Sequence, residues 1–412
     1  MDPSVSKKLQ KKKGGRRGWR IMPYNPQIDR SNDDIRAVVK LWCSNRAEAE
    51  IKYGHISQWD TRAVTNMREL FRDCMEFNDD ISQWNVGNVT NMREMFDGAA
   101  AFNQPIGQWN VSQVTNMRGM FEGAENFNQD IGQWDVDNVT NMEGMFQYAK
   151  NFNQPIGQWN VSQVTTMRCM FEGAENFNQD IGQWDVSQVT DMSYMFDEAS
   201  VFNQPIGQWN VGNVTNMEGM FSGTYDFNQA IGQWNVSQVT NMAWMFSDAD
   251  AFNQPIGKWN VSKVKNMSSM FFFAKVFNRP LNEWDVQNVE NMDGMFQHAE
   301  NFNQPLEQWN VGNVTNMRHM FQGAHAFNQD ISNWMVTIEP EDMLDMFNGS
   351  GIENENCKPT PTSGGNRTKT SSKGTQKSTK TTLRKKETKN RSKVKEKARK
   401  QSKKKGKKTK KN

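Results

Sequence analysis

Phe102-Asn103-Gln104-Pro105-Ile106-Gly107-Gln108-Trp109-Asn110-Val111-Ser112-Gln113-Val114-Thr115-Asn116-Met117-Arg118-Gly119-Met120-Phe121-Glu122-Gly123-Ala124 is one copy of a unit that recurs along most of this 412-residue chain. Its tryptophan falls also at 59, 84, 134, 159, 184, 209, 234, 259, 284, 309 and 334, a strict period of 25. Two apolar periods share the unit. Ile106, Trp109 and Val111 alternate with polar Gln108, Asn110 and Ser112, which predicts a short extended segment. Met117, Met120, Phe121 and Ala124 fall at i, i+3, i+4 and i+7, which predicts a short helix, with Thr115 or Asn116 to cap its start and Gly123 near its end. One strand and about two helical turns are too little to bury their own Trp and Phe, so the units must stack. At about 4.8 Å per strand, twelve coils make an arc of about 58 Å.

The pattern Ile-x-x-Trp-x-Val-x-x-Val-x-x-Met-x-x-Met-Phe-x-Gly-Ala resembles the BspA-type leucine-rich repeat, in the variant found in mycoplasma-type lipoproteins and in bacterial, algal and large-virus proteins of unknown function. The resemblance covers roughly residues 35 to 350, with Trp, Asn, Met-x-x-Met-Phe and Phe-Asn-Gln in register. It implies a surface or adhesion role. The expected fold is an α/β repeat solenoid, a leucine-rich-repeat-like right-handed coil of twelve strand-plus-short-helix units with disordered basic termini. Its parts are a basic arm (1–30), a helical cap (31–53), the solenoid (54–352) and a Lys-rich tail (353–412). The cap reading rests on Ser31 before Asp33 and Asp34, with Ile35, Val38, Val39 and Trp42 on one face. After Trp334 the methionines slip by one position around Pro340, which closes the array.

Charge is segregated. The net +3 divides into +7 over residues 1–22, −25 over 23–357 and +21 over 358–412. The tail has almost no large apolar residue, so disorder is expected. Its cations, among them Lys385, Lys386, Lys403, Lys404, Lys405, Lys407 and Lys408, suit counterion-releasing contact with nucleic acid or an anionic surface. The tail's alternatives are solubilisation or docking on the acidic body. Without interleaved aromatics it cannot read bases. Neither a stretch of about 18 apolar residues nor an apolar leader is present, so no transmembrane segment or secretion signal is expected. Cys43, Cys74, Cys169 and Cys357, spaced 31, 95 and 188 apart, are read as free thiols of a reducing compartment. Localisation is open, with an intracellular place, nuclear included, or a virion favoured, and the chain is expected to be monomeric.

No spacing of His, Cys or carboxylates resembles a metal, phosphate or nucleophile motif, so neither catalysis nor a cofactor is expected. The asparagine series through Asn103 and Asn116 are read as ladders that satisfy backbone bends. In the column after Trp, Asn110, Asp135 and Asp185 never set two aspartates on adjacent coils, which avoids opposed like charges. Departures from the consensus are the binding candidates. Tyr194 and Trp244 enter between the paired methionines, and Tyr148, Phe273 and His298 stand where Gly98, Gly123 and Gly173 set the pattern, with Phe272 beside Phe273. They form a binding patch or fill gaps between coils. Gln108, Asn110 and Ser112 line the other candidate, a neutral concave strand face for glycan or peptide. The expected function is a non-enzymatic scaffold that binds protein or glycan, with a polycationic tail on a polyanion. The alternative is a surface or virion-exterior adhesion protein.

Overall fold

The computed structural model describes residues 31–359, all within one compact unit. Helix α1 (Asn32–Ser44) starts at Ser31, whose Oγ accepts from the Asp34 N–H, and buries Ile35, Val38, Val39 and Trp42. Helix α2 (Arg46–Tyr53) follows at once, and Gly54 closes it in a left-handed conformation. The 25-residue coils then stack one on the next. Their Trp, Met and Phe form one continuous core in which Met117, Met120 and Phe121 and their equivalents are buried, except Met343 and Phe347 of the last coil, which are partly buried.

Pairing between coils does not run where the alternation predicts a strand. The backbone N–H groups of residues 106–112 make no bond to a neighbouring coil and close only local turns. The ladder runs instead through 115–123, the stretch predicted to be helical. There the N–H groups of Met117, Gly119, Phe121 and Gly123 donate to the carbonyls of Asn141, Glu143, Met145 and Gln147 on the next coil. Met120, Glu122 and Ala124 bond three residues back within their own coil. Parallel bridges join the Asn66, Asn91, Asn116 and Asn141 column on to Asn316.

No helix forms because the backbone reverses hand twice in each unit. Gly119 has φ +58° and Gly123 φ +70°, and every equivalent residue in the other coils is also left-handed. A tandem of four-residue turns places its apolar residues at the same i, i+3, i+4, i+7 spacing as a helix. Its N–H groups point along the stack, however, rather than up a helix axis. The expected strand-plus-helix unit is therefore corrected to a turn-ladder coil, and the segment bearing Gln108 and Asn110 is a turn edge, not a strand face.

Each buried indole finds an acceptor, as a buried Trp N–H requires. Trp134 Nε1 donates to the Ile106 carbonyl of the preceding coil at 3.1 Å, and Trp184 to Ile156 at 3.2 Å. Within a coil Phe121 and Phe127 stack at 4.0 Å, and Phe121 meets Phe146 of the next coil at 5.7 Å. The slip after Trp334 is absorbed by a 3-10 turn at Pro340–Met343, so Met317, His319, Phe321 and Gly323 donate to carbonyls 25 residues on instead of 24.

A disulfide joins Cys43 at the end of α1 to Cys74 in the first coil, across a Cα separation of 5.7 Å. The expectation of four free thiols is corrected for this pair, because the cap folds back over the first coil and brings together cysteines 31 residues apart. Cys169 and Cys357 remain free thiols. No helix among the described residues is long and apolar enough to cross a membrane.

Candidate functional site

The site is built on the two left-handed columns. One holds Gly119, Gly144, Cys169, Tyr194, Gly219 and Trp244, and the other Gly123, Tyr148, Gly173, Phe273 and His298. Left-handed backbone is free for glycine and unfavourable for bulky side chains. Trp244 (φ +62°), Phe273 (φ +53°) and His298 (φ +57°) occupy it nonetheless. Side chains from these columns reach over the equivalent residue of the next coil.

Two of the expected aromatics are absorbed by that arrangement. Tyr148 covers Gly173, where an added Cβ would lie 2.4 Å from Tyr148 Cδ1, and its hydroxyl donates to Glu172. Tyr194 covers Gly219 in the same way, donates to Glu218, and lies 6.0 Å beneath the Arg168 guanidinium. Burial and the Glu218 carboxylate push its phenol well above the ordinary range. For these two residues gap filling is the role the geometry gives.

The others come together. Trp244 meets Phe272 at 5.8 Å, Phe272 meets Phe273 edge-on at 4.6 Å, and Phe273 stacks on His298 at 4.4 Å. Sequence reasoning singled out all four, but their contact depends on the register of three coils. All are half-buried. Tyr225 and Val276, on neighbouring columns, are 48% and 38% exposed. Beside the strip Lys275 is paired with Asp250 at 2.9 Å. The Lys275–Asp250 column carries an ion pair in an earlier coil as well, Lys150 with Glu125 at 3.2 Å, and the column one residue before that of Trp244 pairs Arg118 with Glu143 at 3.3 Å.

Gln108, Asn110, Asp135 and Asp185 are exposed and lie apart from the strip. Asn110 Oδ1 accepts from the Ser112 N–H at 3.1 Å, Asp135 from Asp137 at 3.2 Å and Asp185 from Ser187 at 3.0 Å. Hydrogen bonds from Ser187 hold the Asp185 carboxyl below the usual carboxylate range. The column thus shapes its own turns, a local use of Asn and Asp oxygens. The tail residues Lys385, Lys386, Lys403, Lys404, Lys405, Lys407 and Lys408, and the basic arm, lie outside the described residues.

The asparagine ladders satisfy backbone groups. Asn103 Oδ1 accepts from the Asn128 N–H at 3.0 Å and from Gln129 Nε2 at 2.9 Å, and the pair repeats in the next coils. Sequence reasoning missed the groove of about 620 Å3 that these side chains make with the outer row Asn126, Asn151 and Asn176. The outer row was readable at the same 25-residue spacing.

Four overlapping stretches of the chain, 42–155, 124–224, 203–293 and 244–359, match the family described as "Mycoplasma protein of unknown function, DUF285". Among solved structures, a TLR13–ssRNA13 complex is similar at 10% identity with a TM-score of 0.18, over 78% of this chain and 56% of that one. No curated protein matches the chain.

Proposed function

The chain belongs to the DUF285 repeat family, and we propose that it is a non-enzymatic binding scaffold whose C-terminal coils dock a protein partner through the Trp244–Phe272–Phe273–His298 strip. One observation carries this reading. Bulky aromatics occupy left-handed positions that glycine fills in other coils, at a backbone cost of about 1–3 kcal/mol each. Tyr148 and Tyr194 bear the same cost as covers for Gly173 and Gly219, whereas Trp244, Phe273 and His298 also join Phe272 in one contiguous cluster. Half-buried aromatics that contact one another also have the composition of an interface hot spot.

The test exploits the backbone. Trp244→Gly and Phe273→Gly remove the aromatics and suit the left-handed conformation, so the array should stay folded by circular dichroism. Partner proteins captured by the full chain from the cells that make it should be lost by the double variant and kept by Tyr148→Gly. Each lost aromatic should weaken binding by about 2 kcal/mol, roughly 30-fold. An unchanged partner set in the double variant would sink the proposal.

The basic tail has a separate role in the proposal, as a sequence-independent tether to a polyanion, supported by its +21 charge. Binding of the full chain to duplex DNA should fall with salt at a log–log slope near −0.9 per phosphate neutralised. A chain ending at Ile352 should show no such binding. Equal binding by both would contradict the tether.

A further inference from the structure

We propose that Asn110, Asn160, Asn235 and Asn260 are acceptor sites for N-linked glycans, borne in a row on the Asn edge of the solenoid. Each begins an Asn-Val-Ser triplet, the acceptor motif N-x-S/T. Each is exposed. The register places all four in one column of the stack, two, three and one coils apart.

The hydrogen bonding favours this row over a second one. Oδ1 of Asn110, Asn160, Asn235 and Asn260 accepts from the Ser N–H two residues on, at 3.1–3.2 Å. Among the described residues their Nδ2 atoms find no hydrogen-bond acceptor, whereas Asn88, Asn138, Asn213 and Asn313, which begin Asn-Val-Thr triplets, donate Nδ2 to a carbonyl of the preceding coil at 2.7–2.9 Å. A sugar on that second row would be directed against the neighbouring coil. The transfer itself is balanced by a lipid-pyrophosphate-linked oligosaccharide as donor. Nδ2 loses one proton and bonds to C1 of the first sugar, the C1–oxygen bond breaks, and the lipid pyrophosphate leaves. Oδ1 is untouched, so the turn bond to Ser112 and its equivalents survives.

The Cys43–Cys74 disulfide is an independent observation in the same direction, since disulfides persist in the oxidising compartments where this transfer takes place. It runs against the intracellular expectation. Glycans on the Asn edge would also leave the aromatic strip uncovered, because the two occupy separate columns of the coil.

The test is site-resolved mass spectrometry of the full chain, led into a eukaryotic secretory pathway and recovered as folded, secreted protein. Enzymatic deglycosylation in 18O water should mark Asn110, Asn160, Asn235 and Asn260 as labelled Asp, and each single Asn→Gln variant should lose one glycan without change in the circular dichroism. Asn88, Asn138, Asn213 and Asn313 should be bare in the same fraction. Folded protein with the first four unmodified, or with both rows equally occupied, would overturn the proposal. The sites share no residue with the aromatic strip, so either reading can fail alone.

Discussion

Ser269 and Gly219 show what the left-handed columns ask of a residue. Ser269 sits at φ +53°, its Oγ 3.3 Å from where a Cβ added at Gly294 of the next coil would lie. Ser269→Gly should raise stability by about 0.5–1 kcal/mol, because the backbone relaxation outweighs one small side chain. Gly219→Ala should do the reverse, by about 1–3 kcal/mol, since φ is +60° and the new Cβ would lie 2.5 Å from Tyr194 Cδ1. Urea unfolding of both variants checks the pair, and a loss for Ser269→Gly would contradict the strain argument. Tyr194 adds a pH signature. Its phenol titrates higher folded than unfolded, so the stability it contributes is complete below pH of about 10 and declines above it. Tyr194→Phe should therefore flatten the alkaline limb of a Tm-against-pH curve, and an unaltered limb would exclude Tyr194 as its source. The departures Trp244, Phe272 and Phe273 were readable in the sequence as residues. Their grouping with His298 was not, because neighbours in the strip stand up to 28 positions apart and meet only through the ladder register.

The coil is the element on which sequence reasoning was both strongest and misled. Period, stacking and core were readable, because Trp109, Met117, Met120 and Phe121 repeat at fixed spacing and are all buried. The helix was misread because apolar spacing alone cannot separate a helix from tandem turns of alternating hand. Gly119, in the middle of the supposed helix, is the sign against it, since glycine weakens a helix interior by about 1 kcal/mol. The disulfide was hidden by linear spacing and appears only when α1 folds over the first coil. Its loss in Cys43→Ser should cost about 3–4 kcal/mol by loop-closure entropy over the 31-residue separation. The cost should fall on the cap and first coil, so exchange protection there should drop while that of central coils holds. Trp184→Ala removes a core side chain 3% exposed and strands the Ile156 carbonyl, for a loss of about 3–5 kcal/mol. Trp334→Ala, at the closing coil, should cost less globally, and equal costs would contradict pairwise coupling between neighbours.

At the scale of the whole molecule, an acidic repeat body is linked in sequence to a strongly basic tail. The body's near-identical coils repeat one register, and in our proposal its binding chemistry lies where that identity breaks. Aromatics in mutual contact run from Trp244 to His298, beside a column that carries ion pairs in early and late coils alike. That strip is what makes these coils a docking surface in our proposal. All of it rests on the turn ladder, which fixes the register of the columns. Residue-resolved hydrogen exchange on the full chain tests the ladder most directly. Amides of Met117, Gly119, Phe121 and Gly123 and their equivalents should be slowly exchanging in every central coil, because they bond to the next coil, while Gln108, Asn110 and Gln113 exchange fast. Slow exchange centred on residues 108–112 would restore the strand to the Trp segment and contradict the account.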